Sequence, residues 1–282
     1  MAQRNVPDQE MASNPPPALP AVFPFEWASG WGEDTFGVFQ EFTCKNVTQR
    51  MRWIPPGRFM MGSPGDEKER WDDESPRHEV ILTHGFWLAD TACTQEMWQA
   101  VMGENPSHFK DDPQNPVENV SWETICNDFL PRINGAIPGI ELGLPTEAQW
   151  EYACRSGTTT PFWWGHELTT NDANYNGNYP YAGGTKGEYR EKTVPVKTFK
   201  QNPWGLWQMH GNVREWCADW FGTYPQSPVI DPHGPESGTN RVLRGGSWIS
   251  NGRYLRSAYR DWIDPSIRID YDGFRLARGY GE

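Results

Sequence analysis

The chain has 282 residues, and its 28 glycines, 25 prolines and 37% hydrophobic content indicate a loop-rich domain and disfavour long helices or wide sheets. Its net charge of −12 argues against a nucleic-acid-binding protein, which would carry basic patches. No apolar run reaches membrane-spanning length, so we expect no membrane span. The 16 tryptophans and 13 phenylalanines supply large rings from which a core can be built.

The N-terminal residues 1–24 are rich in proline, alanine and polar residues, and we predict that they form a disordered arm. They lack the charged-then-apolar pattern of a signal peptide. The sequence as it stands therefore predicts a cytoplasmic protein, or a cell-surface protein if a signal was removed. Residues 25–282 are predicted to form a single domain, which we expect to be a monomer. Five scattered cysteines without a CxxC pair indicate buried, unpaired thiols.

The next part of the chain alternates strand-like and charged stretches. Residues typical of strands occur at 38–42, 47–54 and 78–88, with glycine and proline between them. The highly charged segment 64–77 is predicted to be a solvated loop.

Three short helices are predicted to follow, each beginning at a hydroxyl side chain that can cap it. The predicted caps and segments are Thr94 with 94–102, Ser121 with 120–133, and Thr146 with 146–154. Residues 155–200 read as loop, and residues 273–278 read as a last strand. Short helices, short strands and many loops together predict an irregular α+β domain.

Five ordered segments of the chain resemble the formylglycine-generating-enzyme (sulfatase-modifying factor) family. They are WIPPGRFMMGS at 53–63, LPTEAQWEYACRSG at 144–157, NPWGLWQMHGNVREWCADW at 202–220, RVLRGGSW at 241–248 and GFRLAR at 273–278. Their order and spacing make the resemblance specific, and it covers about residues 27–278. The resemblance implies a C-type-lectin-like fold with little regular secondary structure, in agreement with the α+β class.

Many residues of these segments also have a structural interpretation. Tryptophans are expected mainly in the core, namely Trp53, Trp150, Trp204, Trp216, Trp220 and Trp248. Three glutamates are candidates for buried ion pairs with three arginines. The glutamates are Glu147, Glu151 and Glu215, and the arginines are Arg244, Arg256 and Arg275.

The enzymes of this family oxidise a cysteine and use two cysteines of their own, which follow the GGS turn and bind copper as thiolates. The matching stretch of this chain is GGSWISNGRYLRSAYR, in which Ser250 stands near the first cysteine position. No cysteine occurs from 218 to 282, and a serine hydroxyl does not replace a thiolate as a ligand of Cu(I). We therefore expect that the chain is not an enzyme and holds no redox cofactor.

A second enzymatic branch of the family makes sulfoxides with non-haem iron held by histidines, most of them from an additional N-terminal helical bundle. The six histidines of this chain show no HxxxH or HxH spacing, and His210 is expected to be a turn histidine. A metal-dependent oxidoreductase whose iron ligands come from distant residues stays open as an alternative. A structural scaffold subunit of a larger complex is another.

Residues 249–272, the variable segment, combine regular frame positions with irregular guest positions. The frame positions are Arg253, Leu255, Arg256, Ser257, Ala258, Arg260, Trp262, Pro265 and Arg268. The guest positions are Ile249, Ser250, Asn251, Tyr254, Tyr259, Asp261, Ile263, Ile267, Ile269, Asp270, Tyr271 and Asp272. Changes at the two adenines of the Asn codon AAC reach every guest residue type, but do not reach Lys, Glu, Gln or Met. None of those four types occurs between 249 and 278.

The variable segment thus resembles the variable region of a diversity-generating retroelement, in which an error-prone reverse transcriptase rewrites template adenines. Tyrosine gives contact area at low entropic cost, and Ser, Asn and Asp give adaptable hydrogen bonds. We predict a non-catalytic protein that binds an unknown protein or other macromolecular ligand through these positions. Tyr254, Tyr259 and Tyr271 would be its aromatic anchors.

The family resemblance also implies structural Ca²⁺, held by backbone carbonyls and carboxylates. One implied site comprises Gln208, Gly211, Val213 and Glu215. The other comprises Asn174, Tyr175, Glu188 and Arg190. Arg214 stands where the family has tryptophan, and its positive charge beside the first site weakens the expectation of Ca²⁺ there.

Overall fold

Residues 19–20 and 22–279 are described by a computed structural model of the chain. Residues 1–18 and 21 of the predicted arm 1–24 lie outside the described residues. The strands are β1 (Gly30–Asp34), β2 (Gly37–Cys44), β3 (Val47–Ile54), β4 (Gly57–Met61), β5 (His78–Leu82), β6 (Phe86–Ala89), β7 (Arg214–Trp220), β8 (Val229–Ile230), β9 (Arg241–Arg244), β10 (Arg260–Ile263), β11 (Asp272–Phe274) and β12 (Ala277–Arg278).

The helices are short and lie mostly between β6 and β7. They are α1 (Gln95–Met102), α2 (Trp122–Thr124), α3 (Leu130–Ala136) and α4 (Glu147–Arg155). A π-helical turn, Ile125–Phe129, joins α2 to α3. Single 3₁₀ turns occur at Asp72–Glu74, Tyr181–Gly183 and Gly252–Leu255. Within the part of the chain that the structure describes, none of the helices has the length and hydrophobicity of a transmembrane span.

The strands of the described residues form three sheets, with the orders β1-β2-β3-β6-β12, β10-β9-β7-β11 and β4-β5-β8. Neighbouring strands are antiparallel, except that β11 runs parallel to β7 and β8 runs parallel to β5. The last two strands return to the first two sheets, where β12 forms the edge beside β6 and β11 forms the edge beside β7. This return places the end of the variable segment beside β7.

The predicted helix caps are present. Thr94, Ser121 and Thr146 each accept a hydrogen bond from the backbone N–H three residues later, which satisfies an otherwise unpaired donor of the first turn. At α4 the bond is reciprocal, because the Gln149 side chain accepts a hydrogen bond from the Thr146 N–H at 2.9 Å. The helix starts were therefore readable from local sequence.

Two predicted strands are divided in the structure. Residues 78–88 form β5 and β6, with a break that contains Gly85. A Cβ atom at Gly85 would lie 2.3 Å from the Trp53 ring and 2.7 Å from the Ile54 carbonyl oxygen, so the close approach requires glycine. Residues 273–278 likewise divide between β11 and β12, which belong to different sheets. Alternation of residue types does not reveal such changes of sheet.

Aromatic rings dominate the two larger cores. In one core Trp98 stacks on Phe129 with ring centroids 5.0 Å apart, and both contact Phe274. The other core packs α4, through Trp150, against β5, β6 and β9. Four of the six tryptophans predicted for the core are buried, whereas Trp204 and Trp220 are half-buried.

Candidate functional site: the variable segment and its supports

The variable segment leaves β9 through a tight turn. Gly245 and Gly246 both have positive φ, at 94° and 70°. A Cβ atom at Gly246 would lie 2.8 Å from the Tyr254 carbonyl oxygen and from a Leu255 methyl carbon. Only glycine fits there without displacing the segment. The segment then forms the 3₁₀ turn Gly252–Leu255, strand β10 and a loop that enters β11.

The central frame positions point into the protein. Leu255, Arg256, Ser257 and Ala258 are inaccessible to solvent, and Arg260 is nearly so. The frame is not uniformly buried, because Arg268 is exposed and Trp262 is 46% exposed. Burial therefore fixes the part of the segment from 255 to 260.

Arg256 anchors the segment to a loop that the sequence did not connect with it. Its guanidinium donates to the Glu67 carboxylate at 2.7 Å and to both oxygens of Glu74 at 2.6 and 2.8 Å. The predicted pairing of Arg256 with Glu147, Glu151 or Glu215 is wrong. The prediction that 64–77 is only a solvated loop is wrong as well, since Glu67 and Glu74 are buried. A charged loop sequence does not reveal which charges are taken inward.

The other predicted glutamates do form buried ion pairs with arginines. Arg244 lies between Glu147 and Glu151, and its Nη1 donates to Glu147 at 3.2 Å. Arg275 donates to both oxygens of Glu215 at 2.8 and 3.0 Å. Arg260, a frame position, donates to both oxygens of Glu147 at 2.6 and 2.8 Å. Opposite charges and hydrogen bonds compensate the desolvation of these groups.

Eleven of the twelve guest positions reach solvent at least partly. Ile249 and Ile267 are the most open, at 41% and 39% exposure. Asp272 is the exception, because it is fully buried, and it does not belong to the exposed face that the pattern predicted. Its carboxylate accepts hydrogen bonds from Arg214 at 2.6 and 2.9 Å. Its place at the start of β11, beside β7, explains the burial.

Arg214 contacts three guest positions, two aspartates and one tyrosine. It pairs with Asp272 and also with the partly exposed carboxylate of Asp261. Its guanidinium lies 4.8 Å from the centroid of the Tyr271 ring, within the range of a cation–π contact. Arg214 is therefore a structural support beneath the guest positions. The sequence signal for it was the arginine that replaces the family's tryptophan.

Two exposed tryptophans extend the aromatic surface beyond the guest positions. Trp71 is 44% exposed, and its ring centroid lies 6.5 Å from that of Tyr254, which in turn lies 4.9 Å from that of Tyr259. Burial raises the pKa of Tyr259, so its hydroxyl stays neutral. Trp262 packs against Phe221 at 5.3 Å. Trp71 was missed because it lies far away in sequence, within the charged loop.

Ser250, which stands near the family's first cysteine position, has a turn role here. Its hydroxyl accepts a hydrogen bond from the Ser247 N–H at 2.9 Å and lies 3.0 Å from the Ser247 hydroxyl. Behind it, His210 is buried and donates its Nδ1–H to the Leu255 carbonyl oxygen at 2.6 Å. Burial lowers the pKa of His210 to about 4, so the ring is neutral. Burial also raises the pKa of the neighbouring Cys154 thiol to about 12, so the thiol is protonated.

The first implied Ca²⁺ site contains one free side-chain oxygen. The Gln208 amide is buried and has no hydrogen-bond partner among the described residues. The Gly211 carbonyl accepts a hydrogen bond from the Val213 N–H at 3.0 Å, and the Glu215 carboxylate is bonded to Arg275. An orphaned amide oxygen favours a bound cation, but an arginine on the only carboxylate competes with it.

The second implied Ca²⁺ site also combines an unpaired side-chain oxygen with a carboxylate that is paired with an arginine. The Asn174 side-chain oxygen is buried without a partner among the described residues, and the neighbouring Tyr175 is buried. Glu188 is exposed and forms a 2.9 Å ion pair with Arg190. Since Ca²⁺ takes six to eight oxygen ligands, neither set is complete as arranged, and Ca²⁺ binding stays a prediction. Within 19–20 and 22–279 no group of three or more His, Cys, Asp or Glu side chains is placed to hold a metal ion.

Residues 35–280 match the family described as having a sulfatase-modifying factor enzyme 1-like domain. The chain belongs to this family. It is 35% identical over 228 residues to the formylglycine-generating enzyme of Streptomyces coelicolor, covering 75% of this chain and 70% of that enzyme. It is 37% identical over 216 residues to the formylglycine-generating enzyme of Thermomonospora curvata, covering 72% and 67%. The family resemblance and the α+β fold class are confirmed.

The expectation that this member of the family is not an enzyme is wrong by these comparisons. Relatives 35% and 37% identical over most of the chain are enzymes, so the family is an enzyme family. The missing cysteine pair concerns one copper-binding mechanism, whereas the identity extends over the whole scaffold.

A solved structure supports the second resemblance. Treponema denticola variable protein 1 is 32% identical to this family member, with a TM-score of 0.69, and the match covers 85% of this chain and 98% of that one. The resemblance to a variable protein is therefore confirmed together with the fold.

Proposed function

We propose that this chain binds a macromolecular partner through the partly exposed guest positions of the variable segment, and that a diversity-generating retroelement rewrites those positions. The observation that carries the proposal is the agreement between residue type and burial. Frame positions from Leu255 to Arg260 are buried in the core or in ion pairs, whereas eleven of the twelve guest positions reach solvent. Substitutions at such a surface leave the core unchanged.

The chemistry of this surface suits protein recognition. Tyr254, Tyr259 and Tyr271 offer ring faces, Asp261 and Asp270 offer hydrogen-bond acceptors, and the partly exposed isoleucines offer apolar area. Trp71 and Trp262 lie outside the guest set and would contribute to every variant of the surface. The likeness to Treponema denticola variable protein 1, whose name describes it as variable, supports the proposal.

The retroelement part is tested by sequencing the gene and its flanks from independent isolates. We expect substitutions to concentrate in guest codons, at positions that are adenine in a nearby imperfect copy of codons 249–272, beside a reverse-transcriptase gene. The frame codons for 255–258 are the internal control and should stay constant. Substitutions spread evenly over frame and guest codons would contradict the proposal.

The binding part is tested with two libraries of the purified chain. In one library the eleven partly exposed guest positions are randomised, and in the other eleven exposed positions outside the variable segment are randomised. Both are selected for binding to the same immobilised target, hen lysozyme. We expect specific binders from the first library only, because its positions rest on a rigid buried frame. Equal yields from both libraries would contradict a dedicated face.

Formylglycine generation is a second candidate function, favoured by the identity to the two bacterial enzymes. Because no cysteine lies within 218–282, the reaction would need other groups there or thiols from elsewhere in the chain. Aerobic incubation of the purified chain with a cysteine-containing sulfatase peptide and copper tests it, with mass spectrometry to detect the aldehyde. Peptide that stays unchanged while the Streptomyces coelicolor enzyme converts it would remove this candidate.

A further inference from the structure

A cavity of about 600 Å³ is lined by Glu147, Asp219 and Arg260, among other residues, and we call it the Asp219 cavity. Its size is within the usual range for small-molecule sites. It is bounded by the end of β4, the start of β5, the start of α4, the end of β7, the start of β10 and the segment 222–235, which includes β8. None of the guest positions lines it, so it is separate from the surface proposed above.

Apolar groups form most of the cavity's walls. Met61, Trp220, Tyr224 and Val229 contribute to them. Four prolines complete the walls, at Pro225, Pro228, Pro232 and Pro235. Rigid prolines and aromatic rings suit an apolar ligand body, and aromatic faces also attract a cation.

The hydrogen-bond donors at the polar end of the cavity are already engaged. Arg260 donates to both oxygens of Glu147, and its Nη1 donates to the carbonyl oxygens of Asp73 and Gly222, each at 3.0 Å. The Tyr224 hydroxyl donates to Glu147 at 3.2 Å. An anionic ligand would therefore find few free donors here.

Acceptors remain. One carboxylate oxygen of Asp219 accepts from the Glu147 N–H at 2.8 Å, and among the described residues Asp219 forms no ion pair. Burial, together with the nearby charge of Glu147, raises the pKa of Asp219 to about 7, as expected for a carboxyl group without a paired cation. His78 donates its Nδ1–H to the Pro76 carbonyl oxygen at 3.0 Å, which leaves Nε2 as the accepting nitrogen.

We propose that the Asp219 cavity binds a small organic ammonium ion with an apolar body. Its N–H groups donate to Asp219 and His78, and its body packs on Tyr224 and Trp220. Arg260 also lines the cavity, but its guanidinium is committed to Glu147, so the ammonium supplies the paired cation and the hydrogen-bond donors that Asp219 lacks.

Calorimetry on the whole chain tests this with two probes of equal size. The probes are 2-phenylethylammonium and the uncharged 2-phenylethanol. We expect the ammonium to bind at least about tenfold more tightly, which corresponds to about 1.4 kcal/mol. Equal affinities, or no binding of the ammonium at millimolar concentration, would overturn the proposal.

Three variants test whether the ammonium binds in the Asp219 cavity or elsewhere on the protein. Asp219→Asn keeps an oxygen for the Glu147 N–H but removes the charge, and should lose the preference for the ammonium. Thr223→Trp is placed at an exposed lining residue, leaves the buried ion pairs untouched, and should lower the affinity for both probes. Glu33→Gln removes an exposed carboxylate of β1 and serves as the control, with unchanged affinity. An ammonium affinity that survives both Asp219→Asn and Thr223→Trp would place the binding elsewhere.

Discussion

Three arginine side chains hold parts of the variable segment in place through ion pairs. Arg256 and Arg260 hold the frame to glutamates of distant elements, and Arg214 holds Asp272 beneath the surface. A buried ion pair costs little while intact but much when one partner is removed. Residue type alone therefore does not distinguish an exposed guest aspartate from a buried one.

Asp272→Ala should cost about 3 kcal/mol of unfolding free energy, because it removes the fully buried partner of the half-buried Arg214 and leaves that guanidinium with only one of its two carboxylates. Asp261→Ala is the matched control, since its side chain is partly exposed, and should cost about 1 kcal/mol or less. Urea denaturation of both variants measures the difference. Similar small costs would show that Asp272 is accessible after all.

Trp248→Ala should cost about 3–5 kcal/mol, because the ring is buried between Phe109 and Tyr189 and its N–H donates to the Asp270 carbonyl oxygen at 3.1 Å. Trp262→Ala removes the same side chain from an exposed frame position and should cost roughly 1 kcal/mol or less. Denaturant midpoints of the two variants test this. Equal losses of stability in the two variants would contradict the expectation that the buried Trp248 contributes more than the exposed Trp262.

Asp219 should make the protein less stable as pH rises. Its pKa in the folded state is raised from 3.8 to about 7 by burial, so between these values the folded state holds more protons than the unfolded state. The free energy of unfolding then falls by up to roughly 1.4 kcal/mol per pH unit in that window and levels off above pH 7. Asp219→Asn removes this contribution, so the variant should gain stability relative to the native chain from pH 5 to pH 8. A constant difference would contradict the raised pKa.

At the level of secondary-structure elements, the segment between β9 and β11 has buried frame side chains and partly exposed guest side chains. The 3₁₀ turn and β10 send the side chains of 255–258 and 260 inward, and the guest side chains occupy positions that reach solvent. Because β10 pairs along its whole length with β9, its backbone stays fixed whatever side chains it carries. Substitutions of the exposed side chains in this segment are therefore expected to leave the backbone unchanged.

Replacing Ile249, Tyr254 and Ile269 together by serine should change the melting temperature by only a few degrees, since all three reach solvent. The single substitution Leu255→Ala should have a larger effect, about 2–5 kcal/mol, because that side chain is fully buried. Calorimetric melting of both variants gives the comparison. If the triple variant melts far below the Leu255 variant, the guests are packed and the surface proposal fails.

For the molecule as a whole, the charge of −12 coexists with an interior rich in arginine–glutamate pairs. The two orphaned amide oxygens, of Gln208 and Asn174, are the features that favour Ca²⁺ in this loop-rich fold. Bound Ca²⁺ would link loops that few regular hydrogen bonds hold together.

If Ca²⁺ occupies these positions, elemental analysis of the dialysed protein should find up to two equivalents, and chelation with EDTA should lower the melting temperature. Gln208→Ala and Asn174→Ala should each remove one equivalent, because each takes away the uncommitted side-chain oxygen of its site. Asn178→Ala, in the same loop region but outside both sites, should leave the metal content unchanged. Absence of Ca²⁺ after purification in its presence would contradict both sites.

The sequence by itself determined the family, the α+β class and the helix starts, and it predicted most of the burial pattern of residues 249–272. These features are local or are carried by ordered motifs: a capping hydroxyl acts within three residues, and the family motifs follow one another in order along the chain. Ion-pair candidates such as Glu215 with Arg275 were also visible, because few other roles suit charged residues within core motifs.

Only the tertiary structure decided the long-range partners. Arg256 meets Glu67 and Glu74 across more than 180 residues of sequence, and Trp71 joins Tyr254 from the same loop. Asp272 is buried because β11 returns alongside β7, and no local pattern encodes that return. Which charges are desolvated depends on which surfaces meet, and that is a property of the folded chain.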